Sequence, residues 1–232
     1  MSEIIPKPIN DFWNPVINGE TFIDFQDYCK KEEKLSPDDI EIIKENAKMI
    51  LQRCIQPNSV NTSKRTNLHI GDVQSGKTLT MAAAIALAHD NNFLLTSLLT
   101  GTKTILKAQN ESRIEAILQW IDKDRDKFYF YKGDDSQLKT QVKQLDRNVR
   151  SGSYKTMIVS IILKETKHIK DLTNKFQELN LTEKNFGSII LDDEADQASL
   201  NTMIRQKKES PTYKLIKNLI CLLYTSPSPR DE

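Results

Sequence analysis

Residues Gly71–Thr78 read GDVQSGKT, and residues Leu191–Asp196 read LDDEAD. The first stretch places two of the chain's seven glycines with four residues between them, followed at once by Lys77 and Thr78. That spacing suits phosphate chemistry. Gly71 permits a turn out of a strand, and Gly76 lets backbone approach a phosphate with no Cβ in the way, so the N–H groups from about Gln74 to Thr78 can point inward as an anion nest. A helix that follows adds its positive end, Lys77 reaches the β- and γ-phosphates, and the Thr78 hydroxyl ligates Mg²⁺. The reading makes Gly71, Asp72, Val73, Gln74, Ser75, Gly76, Lys77 and Thr78 the binding loop for ATP. The alternative is an ordinary strand–turn–helix connection with a solvated lysine; a chance match in a chain this long has odds of about one per cent.

A phosphate loop needs a carboxylate from a neighbouring strand to hold hydrated Mg²⁺, and a second to take a proton from the attacking water. SIILDDEAD supplies acids directly after the apolar run Ile189-Ile190-Leu191, at the C-terminal edge of a sheet, where open α/β folds bind their ligands. Asp193 is the expected metal ligand and Glu194 the general base. Asp192 and Asp193 form the competing assignment, since strand ends are poorly fixed by sequence, and an acidic loop closing a strand is the plain alternative.

The positioning elements follow from hydrophobic pattern. Leu68, His69 and Ile70 can form a short strand before the glycine loop, and Leu79–His89 is a helix free of Gly and Pro. Buried strands are expected at Phe93–Thr100, Phe128–Tyr131, Thr156–Leu163 and Ser188–Leu191. Between them, Ile114, Ile117, Leu118 and Ile121 make a helical stripe over Glu111–Ile121. Upstream, Ser36-Pro37-Asp38-Asp39 is a capped helix start, followed by Ile40, Ile43, Ala47, Ile50, Leu51 and Cys54 on one face. Pro57–Thr66 reads as a polar loop carrying Lys64 and Arg65. Strands alternating with helices predict an α/β fold with a mostly parallel sheet covered on both faces.

The chain has 232 residues, of which 38% are apolar, enough for one domain with a substantial core. Its 33 basic and 32 acidic residues leave a net charge of +1, so no global field attracts nucleic acid. Cys29, Cys54 and Cys221 show no paired spacing, and no signal peptide or long apolar run is visible; free thiols, a cytoplasmic location and no membrane partner are expected. His69, His89 and His168 lack metal-ligand spacing and are expected to be structural or surface residues. Lys-rich Arg205–Lys208 reads as a solvated face. Residues 1–35 mix prolines, aromatics and charges without a period and are expected to form a loosely structured extension packing on the domain, which spans 36–220. Residues Cys221–Asp231, CLLYTSPSPRD, resemble a translated sequencing adapter, and 221–232 are expected to be a non-native tail making few contacts.

DEAD, Asp193–Asp196, resembles the acidic motif of superfamily II helicases. GDVQSGKT with LDDEADQASLNT looks like the ATPases of the Z-one-domain family, associated with bacterial and phage restriction or conflict systems. The resemblance spans roughly Leu68 to Thr202 and implies a RecA-like P-loop motor lobe whose ATP turnover drives movement on, or remodelling of, DNA. The segment Leu98–Arg113 is similar to the family's next motif, which in related helicases touches a nucleic-acid backbone; it implies contacts through Thr100, Gly101, Thr102, Lys103 and Arg113. Against that stands a helix cap with solvated cations. Gln197 and Asn201 could sense the γ-phosphate or be simple caps. The resemblance further implies a second RecA-like lobe bringing an arginine finger beyond Asn201, and nuclease or methyltransferase partners. Without that lobe, this stretch is expected to bind ATP and hydrolyse it slowly. The rival readings are an ATP-gated switch or scaffold that never translocates, and a metabolic phosphate-loop kinase, against which DEAD and the lack of a recognisable lid argue.

Overall fold

The computed structural model describes residues 12–57, 76–101, 104–131, 133, 136–180, 187–193, 203 and 208–224, without the side chains of 104–111 and 221–224. Helices α1 (Glu20–Lys31) and α2 (Pro37–Gln52) precede α3 (Lys77–Asp90) and strand β1 (Phe93–Thr100). Then come α4 (Thr104–Ile121), β2 (Phe128–Tyr131), α5 (Leu138–Arg150), β3 (Met157–Leu163), α6 (Thr166–Glu178), β4 (Gly187–Asp192) and α7 (Pro211–Tyr224). The four expected buried strands all form, with ends shifted by a residue at most.

The strands make one sheet in the order β2-β3-β1-β4, and every pairing is parallel. Both faces are covered. Because side chains alternate along a strand, Met157, Val159, Ile161, Ile189 and Leu191 face one core, which α1, α2, α3 and α4 close. Ile158, Ile162 and Ile190 face the other, closed by Leu138, Val142 and Leu145 of α5, Ile169, Leu172 and Phe176 of α6, and Ile216 and Leu219 of α7. No described helix is long and apolar enough to cross a membrane.

Local chemistry explains the individual helices. Ser36 accepts from the Asp39 N–H, and the Asp39 carboxylate accepts from Ser36 N in return, with Pro37 in the first turn; this is the reciprocal cap read from the sequence. Ile114, Ile117, Leu118 and Ile121 are all buried. Helix α3 is different in kind: Ala82 to Ala88 are wholly inaccessible, so it is surrounded rather than laid on a surface. Its alanines let α1, α2 and α4 approach closely.

Two regions depart from the sequence reading. Within 1–35, residues 20–31 form a regular helix whose Phe22, Phe25 and Cys29 are fully buried in the first core. The stripe at i, i+3 and i+7 was present, but the helix start carries no local cap: Gly19 precedes it, and the Asp90 carboxylate at the end of α3 accepts from the Thr21 and Phe22 N–H groups instead, at 3.1 and 2.8 Å. Asn91 adds a second tie, accepting from Val16 N and donating to Val16 O. At the other end, the backbone of α7 does not stop at residue 220 but continues to Tyr224; residues 225–232 lie outside the described residues.

Cys29 and Cys54 are free thiols. Burial, and then the nearby Glu33 charge, push the Cys29 thiol up to about 12, so it stays protonated. His89 bonds through both ring nitrogens, to Thr21 Oγ1 and to the Lys155 carbonyl, each at 2.8 Å. It ties α1, α3 and the approach to β3 together, a structural role.

Candidate functional site

Helix α3 opens at Gly76, whose backbone is left-handed at φ 72° and ψ 25°. A Cβ built there would touch nothing within 4 Å, so the glycine answers to conformation and not to crowding. Gly76 O accepts the first helical bond from Thr80 N. The start of α3 contrasts with that of α2. Where α2 has a serine cap and two acids, α3 has a glycine, an exposed Lys77 in its first position and no acid in its first turn. A cation at the positive end of a helix is unfavourable for the helix alone. The local charge is therefore built up and left uncompensated within α3, as anion binding demands.

The residues Asn91 and Asn92, the latter left-handed at φ 64°, connect α3 to β1, so the helix runs back along the sheet. At about 1.5 Å per residue α3 is about 20 Å long, and at about 3.3 Å per residue β1 is of similar length. Lys77 and Thr78 accordingly lie at the end of the sheet where β1 finishes, at Thr100. The acidic segment reaches the same edge. The Asp193 N–H donates to Leu99 O at 2.9 Å and the Lys164 N–H to Thr100 O at 3.1 Å, extending the ladders one residue beyond β4 and β3.

Strand parity separates the two aspartates. Ile189 and Leu191 belong to the core on the α3 side, so Asp193, next in that series, projects toward the face of α3. Ile190 belongs to the opposite core, and Asp192 follows it. There it meets Lys164, whose side chain is 0% exposed and whose Nζ lies 2.9 Å from Asp192 Oδ1. The two are held by charge, because the approach leaves Asp192 Oδ1 without an aligned hydrogen bond. The same ammonium donates to the Asp193 carbonyl. Of the competing acid assignments, the geometry thus sets Asp193 on the α3 face and engages Asp192 behind it.

Of the expected site, Gly76, Lys77, Thr78 and Asp193 are brought to one edge. Gly71, Asp72, Val73, Gln74, Ser75 and Glu194 lie outside the described residues, as do Leu68–Ile70, Lys64, Arg65, Thr102, Lys103, Gln197 and Asn201. Thr100 ends β1 at this edge with its hydroxyl buried and donating to Ile162 O and its carbonyl accepting from the Lys164 N–H, so neither of these groups is left for a ligand. Arg113 is not assembled with them. It sits in the middle of α4, about 14 Å along the helix from its first residue, and both Glu33 oxygens accept from it at 3.0 and 3.1 Å. That pair ties α4 to the end of α1.

Lys164 escaped the sequence reading. Its signal was a lone cation closing an otherwise uncharged strand, MIVSIILK, one strand ahead of an acidic run in the sequence. A buried lysine requires a paired carboxylate, and that rule singles it out once 157–163 is read as a strand. Comparison with family models, with curated proteins and with solved structures finds no match to this chain.

Proposed function

We propose that the chain is the RecA-like, ATP-binding motor lobe of a nucleic-acid-dependent ATPase, of the helicase or translocase kind found in restriction-like defence. The observation that carries the reading is the uncapped, lysine-bearing start of α3 on the same sheet edge, and facing the same side, as Asp193. Loop amides from 71–76 and Lys77 would hold the phosphates. A hydroxyl and a carboxylate, Thr78 and Asp193, are the hard oxygen donors that suit Mg²⁺, which would neutralise phosphate charge when bound. Glu194 would orient and deprotonate water.

Connection handedness supports the RecA-like reading. From β1 through α4 to β2 the chain moves one way along the sheet on the first face; through α5 to β3, and through α6 to β4, it moves the other way on the opposite face. All three connections share one hand, as parallel sheets require. For α3, on the first face, to reach β1 with that hand, the entering strand must lie beyond β4. That edge carries no ladder among the described residues. The reading therefore requires Leu68–Ile70 beside β4, where it would deliver the loop next to Asp193.

The test is nucleotide binding by calorimetry. The chain should bind Mg-ATP, and Lys77→Ala should abolish binding while leaving the circular dichroism spectrum unchanged, because Lys77 is exposed. Unchanged affinity in Lys77→Ala removes the phosphate-loop assignment. Phosphate release with and without DNA or RNA separates a motor from an ATP-gated switch: stimulation by nucleic acid is the motor's signature, and Glu194→Gln should stop turnover without weakening ATP binding.

A further inference from the structure

We infer that Lys164 is a positioning residue for the Asp193 carboxylate, a role that rests on the phosphate-loop reading above. Three strands end together at this lysine. Its own N–H continues β3 onto the Thr100 carbonyl of β1, its ammonium donates to the Asp193 carbonyl just past β4, and the Asp192 carboxylate balances its charge. The Asp193 main chain is thereby held on both sides, by its N–H on Leu99 O and by its carbonyl on Lys164. With the backbone fixed at N–H and carbonyl, the side chain has little freedom except rotation about its own bonds, toward the α3 face. Lys164 reaches Asp193 through its carbonyl, from the face on which Asp192 lies.

Plain charge compensation would need the lysine only as a partner for Asp192. The placement says more. A buried ion pair is seldom an efficient source of stability, and apolar replacement of both partners is often neutral or better. The second contact, to the Asp193 carbonyl, reaches a residue whose acid group faces the candidate metal position. Groups that orient a metal ligand without touching the metal typically matter by about 10–100-fold in metal affinity.

The two roles part in one experiment on the full chain. Binding of a fluorescent ATP analogue is titrated without metal and then with increasing MgCl₂, for the unaltered chain, Lys164→Met and the double variant Lys164→Met/Asp192→Leu, with thermal unfolding recorded for each. Lys164→Met leaves Asp192 unpaired in a largely buried place and should unfold at lower temperature; the double variant should recover stability. In both, metal-free nucleotide affinity should hold, while the Mg²⁺ midpoint should rise about 10–100-fold. If the double variant recovers stability and the original Mg²⁺ midpoint together, Lys164 is only a counter-charge and the inference is overturned. If the unaltered chain binds no nucleotide at all, the phosphate-loop reading fails and this role falls with it.

Discussion

Gly19 and Asp90 offer a cycle whose outcome is fixed by geometry. A Cβ on Gly19 would lie 2.3 Å from Asp90 Cγ and 2.4 Å from its Oδ2, distances no real contact shows. Rotating the Asp90 side chain cannot relieve the contact, because its Cβ also lies 2.5 Å away; the start of α1 would have to move off Asp90, surrendering both of the carboxylate's bonds to the first turn. Each hydrogen bond to a charged group is worth about 1.5–3 kcal/mol, so the loss is about 3 kcal/mol or more. Asp90→Gly removes the same bonds together with the contacting Cβ and, with about 1 kcal/mol for glycine in a helix, should cost about 4 kcal/mol, which for a chain of this size lowers the unfolding temperature by roughly 8–16 °C. The double variant is the informative one. At φ −72° alanine is unstrained, and with the whole Asp90 side chain gone, including the Cβ at 2.5 Å, it meets none of these atoms, so Gly19→Ala should add nothing to Asp90→Gly. Urea unfolding of all four proteins should give a double variant about 4 kcal/mol below the parent, against about 7 for independent sites. Additive losses would refute the contact, and with it the claim that α1 is capped by α3.

Gly76→Ala should destabilise by about 1 kcal/mol, the left-handed strain of about 1–2 kcal/mol offset in part by about 0.4–1 from a stiffer unfolded chain; a stabilised variant by differential scanning calorimetry would contradict the left-handed entry to α3. Asp24 links stability to acid: burial disfavours its charge, but hydrogen bonds and attraction from Lys123 and Lys127 outweigh that and lower it from 3.8. Its contribution is therefore complete above pH 3.8, where both states are ionised, and fades as pH falls below that value toward the lowered one. Asp24→Asn should flatten the acid limb of unfolding temperature against pH, and an unaltered limb would show the network to be unimportant.

How much of this could be read from residues alone depends on how far each cause lies along the chain. The strands were legible because runs of apolar and small hydroxyl side chains with no charge, as in Phe93–Thr100, leave no strongly polar face to expose. The cap of α2 was legible because Ser36 and Asp39 sit three apart. Helix α1 was obscured because its cap comes from Asp90, 69 residues downstream of Thr21. Arg113 looked like a free cation because Glu33 lies 80 residues away. Asp192 and Asp193 are neighbours with like side chains, and nothing short of the β1–β4 register tells which points toward α3. The glycine motif was visible as a spacing, and the structure adds to it the left-handed backbone of Gly76 at the start of α3.

Consider α3 mechanically. Walled in over Ala82–Ala88 by helices on one side and the sheet on the other, it has no room to tilt or roll, and its hydrogen-bonded axis resists stretching. Such a body behaves as a strut. One end is the exposed Lys77 turn; the other carries His89, Asp90 and Asn91, which grip Lys155, Thr21, Phe22 and Val16. A load applied at the first end has only the axial direction in which to travel, and it arrives at the base of α1. Amide exchange at Thr21 and Phe22, on the far side of the lobe from Lys77, should therefore slow when the Lys77 end is pinned, making those two amides a remote gauge of what happens at the sheet edge.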